Sequence, residues 1–196
     1  MAVNGRTGIF TGKVDPRTDC LHAIENEHAK IHGGRHFFSY TADRYGSVDS
    51  ERTGTNFLIV PPTVNSGYKC HFTFKVLYFG AIELWFEEDV TYTGGTSVTI
   101  YNNDRASATT ALTQIKQDIA ITGGTRAQLV TAYLGDVPNG VGTNSGFSVI
   151  RPDEEIILNG AYNYLLRMAV YSSGEDSAGD NVTTTIFQFY EHVNIE

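Results

Sequence analysis

Hydrophobic and polar residues alternate with a period of two along several stretches of this chain, the pattern of strands with one buried face. Cys70, Phe72, Phe74, Val76 and Tyr78 alternate with Lys69, His71, Thr73, Lys75 and Leu77. Gly80 interrupts, and then Ile82, Leu84 and Phe86 alternate with Glu83, Trp85 and Glu87. Thr113, Ile115, Gln117, Ile119 and Ile121 repeat the pattern up to Gly123-Gly124. Tyr162, Tyr164, Leu166, Met168 and Val170 share one face of a further strand, with Asn163, Leu165, Arg167, Ala169 and Tyr171 on the other. Shorter runs are Phe57 to Val60, stopped by Pro61-Pro62, then Val98 with Ile100, and Leu129 to Leu134. Val182 to Tyr190 returns after the polar tip Ser172 to Asn181 as the second half of a hairpin.

Roughly seven to nine strands divided by Gly, Pro and Asn predict an all-β fold, an antiparallel β-sandwich of jelly-roll type. Phe72, Phe74, Val76, Ile82, Leu84, Phe86, Leu166 and Met168 are its expected core. The Thr-Gly-Gly-Thr strings at 93–96 and 122–125 read as hairpin turns. One stretch has helical spacing. Asp19 is placed to cap a short helix carrying Leu21, Ile24, His28 and Ile31, ended by Gly33-Gly34. Residues 1–18 are polar and Gly-rich, with Arg6, Lys13 and Arg17 set around Ile9, Phe10 and Val14. This composition predicts an arm over 1–27, including the start of the helix, followed by a single β-sandwich domain over 28–196.

Composition sharpens that picture. The chain of 196 residues is long enough to remove roughly 70% of its unfolded surface from water. Charged residues make up 18%, below the ~25% of ordinary soluble domains, and Gly is abundant at 20 residues. The net charge is −8, and the 14 basic residues are scattered, so no nucleic-acid partner is expected. The start Met1-Ala2-Val3-Asn4-Gly5-Arg6 has no apolar core segment, and no run reaches the ~20 apolar residues of a membrane helix. A protein made in the cytoplasm, with no membrane partner, is the expectation. Cys20 and Cys70 fit no C-x-x-C pattern, and Cys70 reads as a buried small hydrophobe rather than half of a disulfide.

The candidate chemistry is sparse. His28, His32 and His36 recur every four residues, and paired imidazoles at that spacing can ligate zinc. Ala29 stands where H-E-x-x-H needs Glu, and Gly33-Gly34 intervenes before His36, so a packed or hydrogen-bonded cluster is favoured over a metal site. Glu87-Glu88-Asp89 and Asp153-Glu154-Glu155 offer carboxylates for glycoside hydrolysis, which needs a pair held across one cleft. Both runs fall where strands meet loops, the ordinary place for solvated charge. The acidic loop Glu175 to Asn181 offers oxygen ligands without the spacing of an EF-hand. G-x-S-x-G and Gly-rich phosphate loops are absent from the sequence. Trp85 and the 11 Tyr offer a sugar platform, although alternating aromatics in strands more often serve core and interface. No enzymatic activity, cofactor or metal is expected.

Three strings carry a resemblance: Ile31-His32-Gly33-Gly34-Arg35-His36-Phe37-Phe38, Tyr92 to Ser107 (Tyr-Thr-Gly-Gly-Thr-Ser-Val-Thr-Ile-Tyr-Asn-Asn-Asp-Arg-Ala-Ser), and Phe189-Tyr190-Glu191-His192. With Ser145–Pro152, Glu155–Leu158 and Tyr164–Arg167, they resemble a family of small tailed-bacteriophage virion proteins, the head decoration or cement proteins. The resemblance spans about His28 to His192 and contains no catalytic signature. It implies a capsid decoration protein on the outer surface of the head, bound to the major capsid protein and self-associated as a homotrimer. Arg6, Ile9, Phe10, Lys13, Val14 and Arg17 of the arm would anchor it to the shell. The alternative is a tail- or fibre-associated module that binds host surface glycans through Trp85 and the tyrosines.

Overall fold

The computed structural model describes residues 13–14, 21–22, 31, 33–45, 53–79, 81–134, 147–150, 155–171 and 181–193. Two six-stranded sheets hold most of them. The first contains β4 (Thr53–Val60), β6 (Ala81–Glu88), β7 (Thr91–Ser97), β9 (Gln114–Gly123), β10 (Ala127–Leu134) and β13 (Tyr164–Tyr171), in the order β10-β6-β13-β4-β9-β7. The second runs β11-β5-β14-β3-β8, from β3 (His36–Tyr45), β5 (Tyr68–Phe79), β8 (Tyr101–Asn102), β11 (Phe147–Ile150) and β14 (Asn181–Val193). β12 (Ile156–Leu158) also pairs with β5. Every pairing is antiparallel, and most connections carry the chain from one sheet to the other. This is the sandwich that the alternation predicts.

Its core lies between the sheets. Phe72, Phe74, Val76 and Tyr78 of β5, with Phe187 and Phe189 of β14 and Phe37 of β3, face Phe57 and Ile59, Ile82, Leu84 and Phe86, and Tyr164, Leu166 and Met168 of the first sheet. Phe57 meets Phe187 edge-on with ring centroids 5.3 Å apart, while Phe72 and Phe86 stack at 6.1 Å. Aromatic pairs in these geometries add to the gain from burial alone.

Three local expectations change. Leu21–His22 is extended as β2 and pairs with β1 (Lys13–Val14), so the helix does not begin where its spacing placed the first turn. A short isolated helix is marginal in water, and strand pairing supplies the backbone bonds instead. Ile31 is helical, and its carbonyl accepts from the Gly34 N–H at 2.9 Å before left-handed Gly34 (φ 65°) turns the chain into β3. Gly94-Gly95 sits inside β7 rather than in a turn, and a Cβ on Gly95 would lie 2.6 Å from Ile119.

The third change concerns β9. Ile115 faces the main core, but Ile119 joins Leu58, Val90 and Leu165 in a second apolar cluster, with Val60, Tyr92 and Ile121 packed on it. Leu58 and Leu165 alternate with core-facing neighbours, so this cluster lies on the outer face of the first sheet. The change of face falls at Asp118, whose φ is 56°. The ribbon of β7 and β9 therefore crosses outside β4 and β13. It delivers Gly124 against Asp89 at the end of β6, where a Cβ would meet the Asp89 carbonyl oxygen at 2.0 Å. Glu87, expected among solvated charges, is 3% exposed, and Trp85 beside it on the same face is 8% exposed. Among the described residues no helix is long and apolar enough to cross a membrane.

Phe74→Ala should cost about 3–5 kcal/mol, the usual loss for a buried aromatic. Urea unfolding followed by circular dichroism measures this, and a loss below 1 kcal/mol would contradict the packing.

Candidate functional site

The three strings singled out in the sequence meet at one corner of the sandwich. Phe37 and Phe38 pair with Asn102 and Tyr101 across the β3–β8 edge, and Phe189 and Tyr190 pair with Phe37 and His36. The Asn102 side-chain amide donates to the carbonyls of Gly34 (2.8 Å) and Thr109 (3.0 Å), while its oxygen accepts the Asp104 N–H. Asp104 accepts in turn from the Ala106 N–H at 3.0 Å. The Asn-Asn-Asp-Arg segment thus closes a loop by side-chain turns, the usual work of Asn and Asp after a strand. Gly34 has no room for a side chain, because a Cβ there would stand 2.4 Å from the Ser107 hydroxyl.

On the inner side of this corner lies Glu191, 1% exposed. Its carboxylate accepts the N–H of Thr113 at 2.6 Å and of Leu112 at 3.0 Å, two donors left free where the chain enters β9. Cys70 is its cross-strand neighbour. Burial pushes the Cys70 thiol from its ordinary 9.0 up to about 12, with the Thr113 side chain opposing and the Glu191 and Glu155 carboxylates adding to the rise. A thiol in that state is no nucleophile.

The outer side carries a polar network that joins β5, β14 and the residue before β12. His71 of β5 pairs through Nδ1 with Glu155 Oε1, and the Tyr190 hydroxyl lies 2.7 Å from the same nitrogen and donates to Glu155 at 2.8 Å. His71 Nε2 faces His192 Nε2 at 2.8 Å, and His192 Nδ1 is 2.8 Å from the Val193 carbonyl. That carbonyl can only accept, so His192 Nδ1 bears the hydrogen and, in a neutral ring, Nε2 accepts from His71. His36 stacks on Tyr190 at 6.4 Å and meets the Asn103 amide at 2.5 Å. His36, His71, Asn103, Glu155 and Tyr190, with Ile31, border a hollow of about 250 Å³.

An imidazole oriented by a carboxylate is half of a general-base dyad. Here its second nitrogen is taken by His192, and Cys70 points to the opposite face of the same strand, so that thiol is not within reach of the imidazole. Among the described residues no three His, Cys, Asp or Glu side chains are grouped to hold a metal ion. A second hollow of about 270 Å³ lies under the 98–113 crossing, bordered by Phe37, Ile100, Asn102 and Thr113, with no titratable side chain in its lining.

The acidic run of β6 is likewise bound internally rather than solvated. Glu87 receives the Arg126 guanidinium at 2.8–3.0 Å through both nitrogens, and Arg167 reaches it at 3.5 Å. Arg167 also stacks 4.1 Å from the Trp85 ring centroid. Glu88 accepts the Tyr164 hydroxyl at 2.8 Å, and that hydroxyl accepts the Asn159 N–H at 2.7 Å. Burial, with Glu88 adding to it, holds the Tyr164 hydroxyl above the usual tyrosine range. Asp89 accepts from the Thr125 backbone N–H and hydroxyl.

Of the expected anchoring residues, Lys13 and Val14 form β1, while Arg6, Ile9, Phe10 and Arg17 lie outside the described residues, as do Cys20, His28, His32, Asp153, Glu154 and 175–180. Buried Trp85 offers no open platform for a sugar. The network of His71, Glu155, Tyr190 and His192 went unpredicted because its members are up to 121 residues apart, and no spacing rule joins them. The one available signal was that His71 sits on the polar face of its strand. Comparison with protein-family models, curated proteins and solved structures finds no match for this chain.

In a Cys20→Ser protein, Cys70 should resist alkylation at pH 8 until denaturant is added. A raised thiol pKa contributes stability that is full below pH 9.0 and is lost as pH climbs toward about 12. Rapid labelling of the folded protein would refute this. Glu191→Ala should cost about 1–3 kcal/mol by leaving buried N–H groups without an acceptor, measurable by urea unfolding.

Proposed function

We propose that this protein is a non-enzymatic structural protein of a tailed-phage particle, a decoration or cement protein that binds the outside of the head. The supporting observation is how its chemistry is used. Glu87, Glu88, Asp89 and Glu191 all hold strands or crossings in place, and His71, Tyr190 and Glu155 bind one another. Among the described residues these groups brace the two sheets against each other. A rigid body that binds an assembled shell, and not its separate subunits, stabilises the shell by mass action. The strings that resemble decoration proteins are the ones that build the closed corner. The arm over 1–27 is assigned to anchoring, and the major capsid protein is the partner.

A second reading, a glycan-binding tail or fibre module, keeps one observation in its favour. Tyr40 is 57% exposed, and it stacks beside Tyr101, over which Arg105 lies at 5.4 Å. These groups replace Trp85 as the residues such a module would use.

The test is binding of the purified protein to heads that lack it. Saturable binding that raises the temperature of head disruption is the expected outcome. Deleting residues 1–18 should leave the circular dichroism spectrum unchanged and weaken binding at least tenfold, about 1.4 kcal/mol. Full-strength binding by the truncated protein would remove the arm from the mechanism. Binding to host glycan, lost in Tyr40→Ala, with no binding to heads would establish the second reading.

A further inference from the structure

In the register of β5 and β14, Tyr190 lies directly opposite His71, and His192 falls diagonally across from His71 on the same face. Diagonal neighbours of an antiparallel pair come within reach when their side chains are long or aromatic. Here the two imidazoles meet through Nε2 atoms 2.8 Å apart, with their planes tilted by 46°. Tyr190 stacks on the His71 ring at 4.4 Å and holds it from one side. His71 and His192 are both half-buried, so solvent reaches the pair.

Each ring is also held at its other nitrogen. The Glu155 carboxylate takes Nδ1 of His71, and the Val193 carbonyl takes Nδ1 of His192 at 2.8 Å. Tyr190 donates to the same Glu155 oxygen and fixes the carboxylate in turn. A carboxylate or backbone carbonyl on the second nitrogen is the usual support of a metal-bound histidine. It draws the hydrogen to Nδ1 and leaves Nε2 with a lone pair. A neutral His71 carries a hydrogen on one nitrogen only, so in the metal-free pair it serves either Glu155 or His192. A metal ion on the two Nε2 atoms resolves this, because both rings then keep their hydrogens at Nδ1.

The geometry points to a two-histidine site for a divalent transition-metal ion, copper by preference, held by Nε2 of His71 and Nε2 of His192. With metal–nitrogen bonds of ~2.0 Å, cis ligands of a square-planar ion stand ~2.8 Å apart and those of a tetrahedral ion ~3.3 Å. The separation of 2.8 Å fits the first arrangement. Divalent copper is the square-planar ion that nitrogen ligands bind most tightly in its row. Among the described residues two side chains make an open site rather than a cage of three, which leaves the other positions to solvent. The bound ion clips the end of β14 to β5 and stabilises the folded chain by mass action. This inference does not depend on the capsid proposal.

Calorimetric titration of the full chain with copper(II) chloride at neutral pH tests it, together with electron paramagnetic resonance of the complex. Saturable binding with hyperfine coupling to two imidazole nitrogens is expected. His192→Ala should weaken binding at least tenfold and remove one of the two couplings, with an unchanged circular dichroism spectrum. Glu155→Gln should weaken it about tenfold and keep both couplings, as befits a residue that only positions His71. Absence of binding, or binding that His192→Ala leaves unchanged, would overturn the inference. Should His192→Ala fail to fold, nuclear magnetic resonance of the wild type decides. Substoichiometric copper should broaden the ring signals of His71 and His192 before those of the other histidines, and broadening that begins elsewhere would overturn the site.

Discussion

Burying the inner faces of two sheets against each other obliges the chain to cross repeatedly from one sheet to the other, and each crossing leaves backbone groups with no strand to pair with. An unpaired buried N–H costs about as much as a lost hydrogen bond. The polar side chains of this protein are placed to meet that need. Glu191 takes the N–H groups of Leu112 and Thr113 where the chain returns to the first sheet. Asn102 satisfies Gly34 and Thr109, and Ser39 donates to the Thr99 carbonyl at 2.7 Å, both along the crossing between β7 and β9. Tyr164 accepts the Asn159 N–H before β13, and Asp89 accepts that of Thr125 before β10. Without these bonds the aromatic core would have two sheets but no fixed edges.

The corner built from the three strings follows from the same constraint. β14 is paired along most of its length with both β5 and β3, so it is the central strand of its sheet and has no freedom at its end. Glu191 therefore has a fixed position, and so has the loop it holds. On the other face the same strand end presents Tyr190 and His192 to His71. One strand end thus fixes a crossing inside and a polar network outside, and alternation alone decides which residue serves which.

That alternation is also what made the core legible. Phe72, Phe74, Val76, Ile82, Leu84, Phe86, Leu166 and Met168 all face inward as their period of two requires. The pattern misleads where the opposite face is also covered. Trp85 and Glu87 sit on the polar side of β6, yet Arg126 and Arg167 reach over them, and the residues that do so are distant in sequence. Ile119 fails for a different reason. Its spacing from Ile115 is correct for one face, but the left-handed backbone of Asp118 turns the strand, and an Asp in a strand gives little notice of that. The candidate site was less legible than the core, since His71, Glu155, Tyr190 and His192 are joined by sheet register and not by any local motif.

The charged cluster on β6 raises the question of why so costly an arrangement is kept. Glu87 is 3% exposed, and taking a carboxylate out of water is repaid only when its partners are well placed. Arg126 meets it with two nitrogens, the geometry that returns the most. The return is also positional. Leu58, Leu165, Ile119 and Val90 form a greasy contact that would tolerate the β7–β9 ribbon at several offsets, because apolar packing has little direction. A bidentate ion pair beside a turn with no room for a side chain at Gly124 tolerates one. The end of the ribbon fixes the start of β10, so the register of that strand is set by a buried carboxylate on its neighbour.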